Sequence, residues 1–516
     1  MTERPELSAA VLDELRSIVG DERLLTADDE LVPYRDPYWI PGDDTFDGAA
    51  VVLPLSTSEV QAIMRVANAH AVPVWPHGQG KNLGYGGPNP RVRGSLQISF
   101  HRMTDVLEID EELGYAVVEP GTTWFDLHAE LQERGSRWAV SVPDLGWGSV
   151  IGNSMDAGIT YMPTGEEFQA ICGLEVVLAD GSLLRTNHGA QPGSRVAHAY
   201  RRSLGPALDG LFVQGNLGIV VEAGVWLNLK QEAFAPMVLT IMEDADLEVA
   251  IDTIREFKSR NLLRGVQSLY PTLRAAVGIA DDVTVSPARQ LTGAEVREIG
   301  ERTGMGAWSL RSALWGDRDQ VELTLRKIQA EWERLPSGRF QSRGIFAPHE
   351  YDSITFGGDR LQAGLPDLTV INNMPAHIGH IAFSPVVALT GRDVRRLVEI
   401  ARSRALGAGL NFTAGMHLIG ARSAVMVIGL QYDRTDAERV RAAFDFAGRL
   451  VTELGELGYG EYRAHLNFMD AAQAEFSFGD HAYRRFVEAL KSAVDPQGIV
   501  MPGRHGIWPR ERDVSV

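Results

Sequence analysis

Helical and strand periodicities alternate along the first two hundred residues. From Leu7 to Val19 apolar residues recur at helical spacing and stop at Gly20, where a left-handed cap is expected. AVVLP, at 50 to 54, reads as a buried strand. Ser56 with Glu59 three residues on is a capping-box signature, and it opens the periodic helix VQAIMRVANAH. VPVW, at 72 to 75, is strand-like and runs into PHGQGKNLGYGGPNP, too rich in Gly and Pro to be helical. Strands follow at SLQIS and YAVVEP, then a helix from Thr122, then a second Gly-rich loop, PDLGWGSVIGNS. EVVLADGSLLRT reads as a hairpin about its Asp180-Gly181 turn.

After QGNLGIVVEAGVWL, Gln214 to Leu227, the pattern changes to longer amphipathic helices such as DRDQVELTLRKIQAEWERL, separated by short β-rich stretches. A domain boundary is expected near residue 233. The middle region ends near GELGYGEYRAH, and a last helix, HAYRRFVEALKSAVDP, leads to PGRHGIWP. No internal repeat or low-complexity segment interrupts this α+β pattern.

Composition narrows the function classes. At 516 residues and 44% hydrophobic, the chain can bury two or three structural units, more than a small binding module needs. The 49 Lys and Arg against 68 Asp and Glu leave a net charge of −19, which repels a phosphate backbone, so nucleic acid is not an expected partner. MTERPELSAAVLDELRSIVG is charged and amphipathic, unlike a signal peptide, and no apolar run is long enough to span a bilayer. The single cysteine, Cys172, has no internal disulfide partner and fits a cytoplasmic location; it reads as a small buried apolar residue.

The first Gly-rich loop could aim backbone N–H groups at a diphosphate. It is not a Walker loop, because Gly80 and Lys81 precede Asn82 rather than Ser or Thr. Nor is it a Rossmann fingerprint, because Gly78, Gly80 and Gly84 have the wrong spacing and lead through Pro88 and Pro90 into a strand. AHIGHIAFSP sets His377 and His380 in an apolar run whose Gly379, Ile381, Phe383 and flanking prolines favour an extended chain. Residues three apart on a strand face opposite sides, so a two-histidine metal clip is disfavoured and no metal is expected. His380 shares its face with the small Ala382 and Ser384, which leave room beside it for a flat group; a satisfied core histidine is the bland alternative.

Two tyrosines and an arginine form the third feature: Tyr85 among the loop glycines, and Tyr462 with Arg463 in GEYRAH. If they converged they would bind an anionic oxygen, each charge-assisted hydrogen bond contributing about 1.5–3 kcal/mol. Ionising a phenol of pKa about 10 at neutral pH requires about 4 kcal/mol, so two or three such donors suffice.

GKNLGYGGPNPRVRGS, PDLGWGSVIGN, QGNLGIV, GHIAFSPV, GYGEYRAH and DPQGIVMPG occur in the order seen in the vanillyl-alcohol oxidase and eugenol oxidase group of 4-phenol-oxidising flavoenzymes. The chain resembles that family along nearly its whole length. The resemblance implies a two-part FAD-binding domain, residues 1–232 and 458–516, with an α+β cap domain, 233–457, inserted between them. It implies FAD joined to His380 as an 8α-histidyl flavin, with His377 structural. The motifs carry further cofactor contacts to Gly78, Gly80, Lys81, Asn82, Gly84 and Gly86, to Gly148, Ser149, Gly152 and Asn153, to Gly218, Ile219 and Val220, and to Arg504.

By the same resemblance Tyr85, Tyr462 and Arg463 hold a para-substituted phenol as its phenolate, and a benzylic hydride passes to flavin N5, leaving a p-quinone methide. Asp144 matches the aspartate that promotes this step and acts as base when water adds; without the resemblance it reads as a helix or turn cap. Ile159, Tyr161, Ser384 and Met416 are the remaining expected substrate contacts. Arg463 is also expected to stabilise the anionic reduced flavin. Expected partners are the phenol and O₂, reduced to H₂O₂, and a second copy of the chain in a homodimer or larger homo-oligomer.

Some positions depart from the family. YRDPYWIPGDDTFDG lacks the histidine that assists flavin attachment in the fungal member, and Asp36 is the candidate substitute. Arg504 and His505 stand where relatives usually carry Lys-Ser, and Thr164 replaces a usual tyrosine. Met416 and His417 occupy a stretch lining the cap side of the pocket in relatives. The competing functions are a 4-cresol-type dehydrogenase passing electrons to a cytochrome and an FAD-dependent 2-hydroxyacid dehydrogenase. Outside redox chemistry remain a zinc hydrolase and a noncatalytic binder.

Overall fold

The computed structural model describes residues 6–509 apart from 166, 278, 281, 284–288 and 373–374; Met1–Pro5 of the charged amino terminus lie outside the described residues. The helix Ala9–Val19 is capped by Ser8 and packs on the helix Thr57–Ala69. Gly20 ends the first helix with a positive φ of 79° but an extended ψ of 164°, so it turns the chain without the left-handed helical cap. Ser56 caps the second helix as expected. Glu59, however, reaches the Leu55 N–H at 2.8 Å and pairs with Arg23, a partner that spacing within the helix could not reveal.

These helices flank a four-stranded sheet in the order Leu24–Leu25, Ala50–Val52, Leu96–Ser99, Val74–His77. A five-stranded antiparallel sheet follows, with Val106–Asp110 and Tyr115–Val118 beside Ile219–Trp226, then the hairpin Ile171–Val177 with Leu183–Arg185. The strand Val106–Asp110 escaped the sequence reading because only its edges are covered: Leu107 is exposed and the apolar alternation is weak. PDLGWGSVIGNS, expected as loop, ends in a short helix, Val150–Met155, capped by Ser149.

All strands of the third sheet come from residues 233–433. Its order is Gly338–Ser342, Ala233–Ile241, Trp308–Gly316, Gln267–Pro271, Gly415–Ile419, Ser423–Asp433 and Ile378–Phe383, with Val386–Ala388 also on Ser423–Asp433. Both faces of its central strands are covered, partly by the helices Arg318–Trp332 and Ala437–Glu456, so Ala233–Ile241 is buried at all nine positions. A strand buried on both faces shows no period of two, and the sequence pattern therefore revealed only short β-rich stretches here.

The carboxyl-terminal segment returns to the first sheet. Val74 accepts from Met501 N–H and donates to the Ile499 carbonyl at 2.9 and 2.8 Å. The last helix, Phe478–Val494, becomes regular only after His481, because Gly479, Asp480 and His481 have positive φ. Its fully buried Lys491 donates to Asp495 and to the Asn216 carbonyl, both at 2.6 Å, while Asn216 Nδ2 donates to the carbonyls of Met501 and Ile507. A buried ion pair tolerates no loss of one partner. Residues 216 and 491–507 are thus fastened into one wall.

Candidate active site

Backbone hydrogen bonds bring three of the sequence motifs together. The Gly84 carbonyl accepts from Ala382 N–H at 3.0 Å, the Tyr85 carbonyl from Leu466 N–H at 3.3 Å, and the Ser384 carbonyl from Tyr462 N–H at 3.1 Å. A fourth motif joins through Gln214, whose Nε2 donates to the Tyr462 carbonyl at 2.8 Å. Close approach explains two glycines. At Gly84, φ +82°, a Cβ would lie 2.7 Å from the His380 ring; at Gly86, φ +109°, it would lie 2.4 Å from Leu466.

The motifs enclose a cavity of about 360 Å³ lined on one side by Gly78, Gly80, Lys81 and Asn82 and on another by Gly148, Ser149, Gly152 and Asn153. Gly218, Ile219, Val220 and Arg504 complete it, and His380, Tyr85, Tyr462, Arg463, Asp144, Ile159 and Tyr161 also reach it. Gly84, Gly86, Ser384 and Met416 do not line it. Ser384 instead lies behind Tyr85, with its Oγ 2.8 Å from the tyrosine hydroxyl. Met416 points into the hydrophobic core, and strand alternation turns its neighbour His417 toward the cavity. The Ser149 hydroxyl is already committed: it donates to the Pro120 carbonyl at 2.6 Å and accepts from Gly152 N–H at 2.8 Å.

Arg463 sits with its guanidinium 4.0 Å from the centre of the Tyr85 ring and 5.5 Å from that of Tyr462. Burial pushes the Tyr462 hydroxyl well above its ordinary value despite the opposing charge of Arg463, so it stays a proton donor. Burial also works against the charge on Arg463, but Tyr462, Tyr85 and Asp156 more than offset it and keep the guanidinium protonated. Across the cavity Tyr161 donates to Asp144 Oδ1 at 2.7 Å. His380 follows its expected strand, Ile378–Phe383, with His377 just before it and exposed. Burial, assisted by Arg274 and opposed by Asp36, pushes the His380 imidazole down to about 4.

Asp156 and His77 were missed, whereas His417 was already placed in a pocket-lining stretch and does reach the cavity. Asp156 pairs with Arg463 at 3.3 Å and Arg504 at 2.7 Å. Burial would raise its carboxyl, but the two guanidiniums hold it below the usual carboxylate range. Asp36 is buried, 3.4 Å from His465 Nε2, and its neighbour Tyr38 lies 5.0 Å from the His380 ring, centre to centre. This places Asp36 beside the predicted attachment point without a direct hydrogen bond to it among the described contacts.

The cavity wall collects buried polar atoms that have no protein partner: Nδ1 of His380, both ring nitrogens of His77, Nδ2 of Asn153, and Nε of Trp124, Arg463 and Arg504. An unsatisfied buried group costs about 1–3 kcal/mol, so this wall suits a large ligand rich in hydrogen-bonding groups. FAD fits that description. A family model for the FAD binding domain matches residues 48–187, which include the two Gly-rich loops. The chain is accordingly a flavoprotein.

Full-length comparison refines the class. The chain is 31% identical over 521 residues to the flavoprotein subunit of 4-cresol dehydrogenase (hydroxylating) from Pseudomonas putida, covering 97% of this chain and 96% of that one. Its structure is similar to 4-ethylphenol oxidase from Gulosibacter chungangensis in complex with isoeugenol, with a TM-score of 0.91 and 30% identity over 98% of this chain and 99% of the other. It is equally similar to p-cresol methylhydroxylase with substrate bound, at a TM-score of 0.91, 29% identity and the same coverage. The chain belongs to the vanillyl-alcohol oxidase and p-cresol methylhydroxylase group, and it is an FAD-dependent oxidoreductase. No helix among the described residues is long and apolar enough to cross a membrane.

Proposed function

We propose that this chain oxidises para-substituted phenols: 4-alkylphenols, 4-allylphenols such as eugenol, or 4-hydroxybenzyl alcohols such as vanillyl alcohol. The observation that carries the reading is the meeting of Tyr85, Tyr462 and Arg463 in the cavity that also receives Asp144 and His380. FAD, when bound, supplies the acceptor for a hydride from the benzylic carbon, which leaves the substrate as a p-quinone methide.

The protein's own groups prepare that loss. The Arg463 guanidinium and the Tyr462 hydroxyl hold the substrate oxygen as phenolate, and Ser384 Oγ, 2.8 Å from the Tyr85 hydroxyl, is placed so that it can donate to it and leave the Tyr85 proton for the same oxygen. A phenolate pushes electron density toward its para carbon. Asp144, oriented by Tyr161, stands as the base that takes a proton when water adds to the benzylic carbon, and Ile159 limits the bulk beside it. Covalent attachment of FAD at His380, reduction of O₂ to H₂O₂, self-association and a cytoplasmic location belong to the same proposal. So does the division into a cofactor domain, 1–232 with 458–516, and a cap, 233–457. The strand membership of the third sheet and the return of residues 499–501 to Val74 support that division.

The test is to mix purified holoprotein with 4-ethylphenol, eugenol and vanillyl alcohol in air, following H₂O₂ and the bleaching of flavin absorbance. Bleaching with peroxide is expected. Bleaching without peroxide would replace O₂ by another acceptor, and no bleaching with any phenol would overturn the reading.

A further inference from the structure

A second cavity, of about 180 Å³, adjoins the first, and Asp144 lines both. Neighbouring strands carry Val238, Arg311, Ser268 and His417 in one register row, so the four share a sheet face. His417 lies over the main cavity and Arg311 over the second. Arg311 is 9% exposed, and its guanidinium lies 4.7 Å from the centre of the Tyr161 ring, whose hydroxyl donates to Asp144.

Arg311 is buried with donors to spare: Asp144 and Asp359 favour its charge, but neither is hydrogen-bonded to it. Its Nε and Nη2 have no hydrogen-bond partner, and among the described residues no carboxylate stands within ion-pair distance. Arg343 in the same cavity is satisfied by Asp359 at 3.1 Å, but Arg274 has no ion pair among the described residues. Ser309, two positions before Arg311 on the same strand face, lines the cavity with a buried hydroxyl that also lacks a partner. Val238, Val277, Met305 and Phe356 supply apolar wall, and Tyr270, Thr355 and Thr369 add polar side chains. Leaving buried guanidinium donors unsatisfied is unfavourable, and a carboxylate would accept from that donor fork bidentately.

We infer that the cavity beyond Asp144 receives a para substituent ending in a carboxylate, held by Arg311 with Arg274 and Ser309, so that the preferred substrates are 4-hydroxyphenylalkanoates rather than neutral alkylphenols. This rests on the phenol reading above and names its substrate class. The phenol end is held by Arg463 and the tyrosines, the benzylic carbon faces Asp144, and the carboxylate lies past it. A neutral ethyl or allyl chain leaves the Arg311 donors dry and unpaired.

The test compares 3-(4-hydroxyphenyl)propionate with its primary amide on the holoenzyme. The acid is expected to exceed the amide in kcat/KM by about 10–100-fold. That ratio should collapse toward one in Arg311→Met and recover in part in Arg311→Lys. A readout independent of turnover, and of whether the variants fold, uses (4-hydroxyphenoxy)acetate, which has no benzylic C–H. Titrated into the wild type, it should perturb the flavin spectrum at concentrations about 10–100-fold below those its amide requires. If acid and amide are equal in both assays while 4-ethylphenol is oxidised, the carboxylate site is overturned and the phenol reading stands. If no phenol of either charge is oxidised, the phenol reading falls and this inference with it.

Discussion

Asp156 clamps Arg463: its Oδ2 lies 3.3 Å from Arg463 Nη1, and its backbone carbonyl accepts from the same nitrogen at 3.3 Å. With Arg504 on its other oxygen, the carboxylate joins a residue of the GEYRAH motif to the carboxyl-terminal turn. Asp156→Asn removes the charge that orients Arg463, and breaking such a buried pair should lower stability by about 3 kcal/mol. The group's native value lies below its unfolded value of about 3.9, so the contribution is complete above that pH and is lost as pH falls through the native value. In urea unfolding the variant's deficit should stay level from about pH 8 to 5 and shrink below about 4. A deficit that grows toward acid pH would contradict the pairing.

Arg463 and Tyr462 are expected to act on the chemistry more than on the fold. Tyr462→Phe and Arg463→Ala each remove a proposed donor to the phenol oxygen, and each should slow flavin reduction in anaerobic stopped flow by about 10–100-fold. If the site stabilises phenolate as proposed, the loss should diminish as pH rises toward the phenol's own pKa of about 10, where the substrate arrives ionised. Unchanged reduction rates in both variants would remove the phenolate-binding reading.

What the sequence made legible follows from how each signal is written. His380 could be placed on a strand face with Ala382 and Ser384, because alternation is local, and the strand Ile378–Phe383 has that register. Tyr85, Tyr462 and Arg463 were legible as residue types, but their meeting depends on backbone bonds between segments hundreds of residues apart, and the resemblance supplied that juxtaposition. Asp156 was invisible for the same reason. It follows a short helix as any polar residue does, and its partners lie 307 and 348 positions away. Met416 and His417 show the limit of a motif without a register: adjacent residues on a strand point to opposite faces, and only the pairing to Ser268 and Leu269 shows which one turns to the cavity. Arg311 sits in a strand buried along nearly its whole length, where one charged residue reads as an interruption of an apolar run.

Gly84 tests how closely the first loop approaches the His380 strand. Its φ of +82° strains any residue with a Cβ, and that Cβ would come within 2.7 Å of His380 Nε2 and 3.2 Å of the Ala382 nitrogen. Gly84→Ala should cost about 1–2 kcal/mol from the backbone alone. The ring must also shift, so purified Gly84→Ala should carry less flavin per chain than wild type, read from the ratio of visible to ultraviolet absorbance. Full flavin content at unchanged melting temperature would show that the loop yields without moving His380.

The proposed attachment at His380 makes the last prediction. A nucleophilic imidazole must be neutral, and burial with the nearby Arg274 charge pushes this one down to about 4, so it is neutral throughout the physiological range. Its Nδ1 is buried without a partner on the cavity wall, and the ring rests against Gly84 and Tyr38, which limit its rotation. Acid-precipitated wild-type protein should therefore be yellow, while His380→Ala should precipitate colourless and leave its flavin in solution. Because the histidine's folded value lies below its ordinary one, attachment to apoprotein should proceed at a level rate from about pH 8 to 5 and fall as the imidazole protonates toward pH 4. Asp36 is the one buried carboxylate among the charges acting on the ring that opposes this depression, so Asp36→Asn should move the fall to lower pH. A rate independent of that substitution would leave Asp36 with its structural contacts alone, to Tyr38 N–H at 3.0 Å and His465 Nε2 at 3.4 Å.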